Sequence, residues 1–133
     1  IQEIERTLGE KYGKESVATY YGDTKDSIRQ SIVDRFMDAD DPLRFFVGNP
    51  KTGGYGLTLT SSHTVVYYSN DYSLEVRLQS EDRAHRIGQT SKVTYVDLMA
   101  DHTIDEKIVK ALNAKIDLAS QVMGEDPKKI LFG

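Results

Sequence analysis

The sequence predicts an α/β domain built on a parallel sheet. Three observations lead there. Helix-period segments and short strand-like segments alternate along the chain. The run Leu43 to Val47 is almost continuously apolar, as in a strand covered on both faces. The length, 133 residues, suits about one domain with its own core. Four strands separated by helices are the pattern of a parallel sheet with crossover helices.

The elements follow in order. Residues 1–13 read as a helix, with Ile1, Ile4, Leu8 and Tyr12 at helical spacing and Gly13 as the stop. Val17 to Tyr21 is a short β-type run ended by Gly22. Thr24 is placed to cap a second helix whose apolar stripe is Ile28, Ile32, Val33 and Phe36, and Asp40-Asp41-Pro42 breaks it. Leu43 to Val47 is the next strand. The glycine-rich stretch Lys51-Thr52-Gly53-Gly54-Tyr55-Gly56 leads into Leu57-Thr58-Leu59. Thr64 to Tyr68 is a third strand. Ser73 caps a helix running to about Ile87, where Gly88 ends it. Val93 to Met99 is a fourth strand. Thr103-x-x-Glu106 has the form of a capping box. It opens a long helix striped by Ile104, Ile108, Leu112, Ile116, Ala119 and Met123, closed by Gly124 and Pro127.

Composition narrows the function classes. Seventeen Lys and Arg against 21 Asp and Glu give a net charge of −4, which argues against a polycationic tail or a histone-like binder. Local basic patches remain compatible with phosphate binding. Without cysteine there is no disulfide, thiolate zinc site or cysteine nucleophile, and a reducing compartment fits. The apolar runs fall far short of a membrane span of ~20 residues, and no targeting segment is visible. His63, His85 and His102 lack ligand spacing, so a metal site is not expected. Because residue 1 is Ile, the chain is expected to be cut from a longer one.

Two stretches carry chemistry. In the first, Gln79 to Gln89, a continuous helix would put Gln79, Arg83 and Arg86 within about 60° of one another. Two guanidiniums on one face suit phosphate oxygens and the charge of a transferring γ-phosphoryl group. The alternative is a solvated face with the pairs Asp82–Arg86 and Glu75–Gln79. The second is Lys51 to Gly56. Three glycines after a buried strand, at the carboxyl end of a parallel sheet, suit an anion-binding nest or else form a plain flexible loop. The stretch is neither a Walker A loop nor a dinucleotide fingerprint.

The string QSEDRAHRIGQ at Gln79 to Gln89 resembles motif VI of the Swi/Snf-like family of superfamily-two helicases. Tyr21-Gly22-Asp23-Thr24, with Arg29 and Phe36, is similar to the segment before motif V, and Lys51 to Leu59 is similar to motif V. Thr103-Ile104-Asp105-Glu106-Lys107-Ile108 resembles the start of the family's C-terminal brace helix. The resemblance runs from the first helix to about Met123. It implies a RecA-like three-layer domain with helices on both faces of a mostly parallel sheet, residues 1–100, whose first strand would precede Ile1. Residues 101–133 would be brace helix and tail.

In that family two lobes clasp ATP and duplex DNA crosses both. This chain is similar to the second lobe. The Walker A lysine and acidic magnesium box of the first lobe are absent from these residues. The resemblance therefore implies ATP and Mg2+ bound mainly by that other lobe, and no activity for this lobe alone. It implies Arg86 as arginine finger, with Arg83 as a second γ-phosphate contact and Gln79 in their network. Gly56 and Thr58 would lie near the nucleotide. Thr24, Lys51, Gly53 and Gly54 would meet the DNA backbone. The partners implied are the first lobe of the same polypeptide and duplex DNA, without a membrane.

The chain departs from the family pattern in places. Asn49-Pro50 stands for Ser-Thr, Thr58 for Asn, and Tyr72-Ser73-Leu74 for Trp-Asn-Pro. With no long insertion between motifs V and VI, these features point to a bacterial or phage member acting in the cytoplasm; a eukaryotic member would be nuclear. Two other readings stay open. One is another superfamily-two motor acting on RNA, although its usual His-Arg-x-Gly-Arg pattern is not matched. The other is a non-catalytic nucleic-acid-binding module.

Overall fold

The computed structural model describes residues 1–52, 57–70 and 73–123. The chain divides into two compact units, Ile1–Ser61 and Ser62–Gly133. Each holds one pair of parallel strands, so the four strands form two two-stranded sheets among the described residues instead of the single sheet expected. Apolar periodicity sets which face of a strand is covered and leaves its lateral neighbour unspecified.

In the first unit, helix α1 spans Gln2–Tyr12 and ends at Gly13, whose φ of 97° is open to glycine at little cost. A short 3-10 turn, Lys14–Ser16, leads into strand β1, Val17–Tyr20. Helix α2, Asp26–Met37, crosses over to strand β2, Phe45–Gly48. The strands are parallel in register, Val17 beside Phe45 through to Tyr20 beside Gly48. The period of two along β2 explains how both faces are covered. Phe46 meets Phe36 of α2, with ring centroids 5.5 Å apart, while Phe45 meets Tyr12 of α1 at 5.1 Å. Ala18, Ile32 and Leu43 are the buried centre, with Phe36 and Phe46 packed on them.

Three expectations need correction here. Thr24 does not cap α2: the N-cap is Lys25, which makes no side-chain cap bond. α2 stops at Met37, before Pro42, because the acidic side chains build turns of their own. Asp38 Oδ1 accepts from Asp40 N (2.9 Å), Asp41 Oδ1 accepts from Leu43 N (2.9 Å), and Arg35 pairs with Asp41. Finally, β2 is half-buried along Phe45, Phe46 and Val47 where full burial was expected, as suits a short strand in a two-stranded sheet.

In the second unit, strand β3, Thr64–Tyr67, pairs in parallel with strand β4, Thr94–Asp97. Helix α3, Leu74–Asp82, starts at Ser73 as expected, the serine hydroxyl accepting from Val76 N. Tyr67 Oη hydrogen-bonds Ser80 Oγ at 2.7 Å and Tyr95 Oη donates to Glu81 O at 3.2 Å, so one face of the pair is pinned beneath α3. Helix α4, Ile104–Met123, packs against α3 and buries Ile108, Val109 and Leu112. The expected stripe is therefore buried near its start, while Ile104 is exposed. Of the expected capping box only the glutamate half is made, one residue early. Thr103 Oγ1 donates to Ala100 O, and the Glu106 carboxylate takes the backbone N–H of His102.

Candidate functional site

The arginine segment is the main correction to the sequence reading. α3 ends at Asp82, not near Ile87. Past that end the Glu81 carbonyl accepts from Ala84 N (3.3 Å), His85 N (3.1 Å) and the Tyr95 hydroxyl, so the turn after the helix keeps one helix-type bond and is tied to β4. Gln79 and Arg83 still share a face of the helix, four residues apart. Arg86 instead lies in the bend that follows, so the three do not share one helical face.

That bend is well defined. Gln89 N donates to Arg86 O at 3.0 Å, and Gly88 has φ 100° with nothing near where a Cβ would project. The Gln89 amide donates to Ala84 O and to Ser62 O, both at 3.0 Å, and its oxygen accepts from Ser91 N. The bend is thus stapled at its base by one side chain. Arg86 and Gln79 are half-buried, Arg83 is buried, and Ile87 is 98% exposed at the tip.

Beneath this segment a charged cluster ties α3 to β4. The guanidinium of Arg77 holds both carboxylate oxygens of Asp97, at 2.5 and 3.1 Å, and donates to Asn70 Oδ1 at 2.8 Å. It stacks on the Tyr67 ring, 3.7 Å from the centroid, with the Glu81 carboxylate 3.9 Å from its Nε. Burial opposes the charge on Asp97, but the Arg77 and Asn70 hydrogen bonds outweigh it, and its pKa is lowered. Burial of Tyr67 pushes its phenol up to about 12. The sequence reading missed both Arg77 and Gln89, because their partners lie up to 27 residues away.

In the first unit, Thr24 and Lys51 come to the same place, just past the carboxyl ends of β1 and β2. Thr24 is buried, and its hydroxyl accepts from Tyr21 N (3.0 Å) and donates to Thr19 O (3.4 Å), closing the loop after β1. Arg29 braces that loop from α2, with Nε on Thr24 O at 3.0 Å. Lys51 is exposed in a turn made by Asn49, whose Oδ1 accepts from Lys51 N and whose carbonyl accepts from Thr52 N. The Asn-Pro pair noted as a departure is therefore what shapes this turn. Thr58 is half-buried, while Gly53, Gly54 and Gly56 lie outside the described residues. Among the described residues no group of three or more His, Cys, Asp or Glu side chains is placed to hold a metal ion, and no helix is long and apolar enough to cross a membrane.

Short parallel strands crossed by helices give the α/β architecture of a RecA-like domain, with arginines at the end of α3 and in the bend after it. The family described as helicase conserved C-terminal domain matches residues 1–88. The structure is similar to the C-terminal part of the Fun30 ATPase domain, with a TM-score of 0.73 and 28% identity over 84% of this chain and 35% of that one. ATP-dependent helicase fft2 of Schizosaccharomyces pombe is 38% identical over 111 residues, 82% of this chain and 9% of that protein. Helicase SWR1 of Saccharomyces cerevisiae is 36% identical over 104 residues, 78% of this chain and 7% of that protein. The chain belongs to the helicase conserved C-terminal domain family, and within it to the Swi/Snf-like superfamily-two helicases. It spans less than a tenth of these two relatives. Both are fungal, which lends nothing to a bacterial or phage origin.

Proposed function

We propose that this chain is the second lobe of an ATP-dependent DNA translocase, contributing arginines to ATP held by another lobe and gripping one DNA backbone. The observation that carries the reading is the Gln79–Gln89 segment. A guanidinium on a bend stapled by Gln89 is held ready for a phosphate without prior ordering, which is what stabilisation of transition-state charge requires. In this reading Arg86 is the finger. Gln79, half-buried on α3, joins it, and buried Arg83 supports the γ-phosphate side from beneath.

The residues present fit only the outer side of a triphosphate. They supply guanidiniums and an amide, and no carboxylate set for Mg2+ is among those described. Binding of the metal and of the inner phosphates is assigned to the first lobe. Thr58 and Gly56 are the candidates nearest the nucleotide on the motif V side.

Lys51, exposed at the carboxyl ends of β1 and β2, is the direct DNA-phosphate candidate of the first unit, with Gly53 and Gly54 beside it in sequence. Thr24 serves the same edge by closing the loop after β1, since its hydroxyl is already committed to backbone. Such contacts position a duplex without reading its sequence.

The test is steady-state ATPase of the complete polypeptide at saturating duplex DNA. Arg86→Ala is expected to lower turnover by at least ~10²-fold, within the range known for arginine fingers, and Arg86→Lys to restore little because an ammonium lacks the planar fork. Turnover of Arg86→Ala within about twofold of wild type would reduce Arg86 to a surface charge of the kind worth under ~1 kcal/mol.

A further inference from the structure

A large apolar side chain at 98% exposure stands at the tip of the bend that carries Arg86. Scattered surface leucines and isoleucines need no explanation, but this one differs in its setting. Its neighbour Arg86 is half-buried and Gly88 takes φ 100°. Both sides of the bend are tied down, by His85 N on Glu81 O and by the Gln89 amide on Ala84 O and Ser62 O. Ile87 is therefore a fixed apolar knob.

We infer that Ile87 is an anchor that docks the arginine bend onto the ATP-carrying lobe of the same polypeptide when the two lobes close on nucleotide. The inference rests on the reading of Arg86 as a residue acting across a cleft. A guanidinium that must reach a phosphate on another lobe brings the adjacent side chain against that lobe's surface. The relatives are more than ten times longer than the stretch matched here, which leaves ample chain to supply such a lobe. The occupant is thus an apolar socket beside the triphosphate of the first lobe. Ile87 itself touches neither ATP nor a reacting atom. It positions Arg86 by adding apolar burial to closure, and a rigid knob does so with little ordering cost.

Ile87→Ser is a clean probe, because the side chain buries nothing within this lobe. In the complete polypeptide its melting temperature should stay within about 1 °C of wild type, as for an exposed substitution. Burial of an isoleucine side chain corresponds to about 10- to 100-fold in the closing equilibrium, so kcat/KM for ATP should fall by that factor, and Ile87→Leu should restore it to within about threefold. Hydroxyl-radical footprinting gives a readout apart from turnover. Oxidation of wild-type Ile87 should drop at least about threefold on adding a non-hydrolysable ATP analogue with duplex DNA. Unchanged oxidation, or wild-type kcat/KM for Ile87→Ser, would overturn the inference. If Arg86→Ala collapses turnover in the same assays, only the anchor has failed; if Arg86→Ala is silent, the functional reading has failed with it.

Discussion

Replacing Asp97 by Ala removes the carboxylate that holds Arg77, and the structure sets the size of the effect. The Arg77 side chain is 10% exposed and Asp97 is 21% exposed. Taking away one member of a buried ion pair costs about 3–5 kcal/mol, chiefly because the other charge is stranded. Two features favour the low end. Water reaches the Asp97 side, and the Glu81 carboxylate remains 3.9 Å from Arg77 Nε. The Asn70 amide also loses its acceptor on Asp97, which adds a smaller penalty. The expected loss is about 3 kcal/mol, or about 10 °C in melting temperature for a chain of this size.

Urea unfolding followed by circular dichroism measures the loss. The double replacement Arg77→Met with Asp97→Leu should recover most of it, since the desolvated charges are then gone together. The pH dependence supplies a second check. The pKa of Asp97 is lowered in the fold, so its contribution is present above the unfolded carboxylate value. It is lost as pH falls through the folded value, so the wild-type and Asp97→Ala curves should begin to approach each other below about pH 4 and meet only below that lowered value. A loss under about 0.5 kcal/mol at pH 7 would refute the claim that this pair fixes α3 on β4.

Gln89→Ala should cost about 1–2 kcal/mol in the same urea assay, one net hydrogen bond each for Ala84 O and Ser62 O. Gln89→Glu should cost at least as much, because it turns an acceptor towards two carbonyls. Alkaline titration should show stability constant up to about pH 10 and falling above it. Tyr67 ionises near 10 when unfolded but near 12 in the fold, and Tyr95 is raised as well, both by burial. Tyr67→Phe should make that fall shallower, whereas an unchanged slope would show that Tyr67 contributes nothing to it.

Much of the fold was legible because its signals are local. The Gly13 stop, the Ser73 cap, the start of α4 and four strand positions each depend on a few neighbouring residues. Errors arose where a tertiary partner competes with a local rule. Thr24 looks like a helix cap, yet its hydroxyl closes the preceding loop onto Thr19 and Tyr21. The helix after Ser73 reads as continuous to Ile87, yet it ends at Asp82, and Gln89 ties the segment beyond it to Ser62 O, 27 residues away. Arg77 reads as one more charge on a polar face, and only pairing with β4 shows it stacked on Tyr67 and gripping Asp97. The residues of the arginine motif were legible; their distribution between a helix and a bend was not.

That distribution matters for how a lobe of this kind would work. Arginines on one helical face would move as one body and meet a ligand together. Here Arg83 is set in the lobe, just past the end of α3, whereas Arg86 rides on the bend, whose base is one glutamine and whose tip is one isoleucine. The Arg77–Asp97 pair fixes the helix and Gln89 fixes the bend, so the two guanidiniums have separate supports. Damage to the first support is expected to appear as lost stability of the whole unit. Damage at the tip is expected to leave stability intact and to appear only when another lobe must be met. If Ile87 docks another lobe as proposed, global stability and closure are expected to separate by mutation within eleven residues, Arg77 to Ile87.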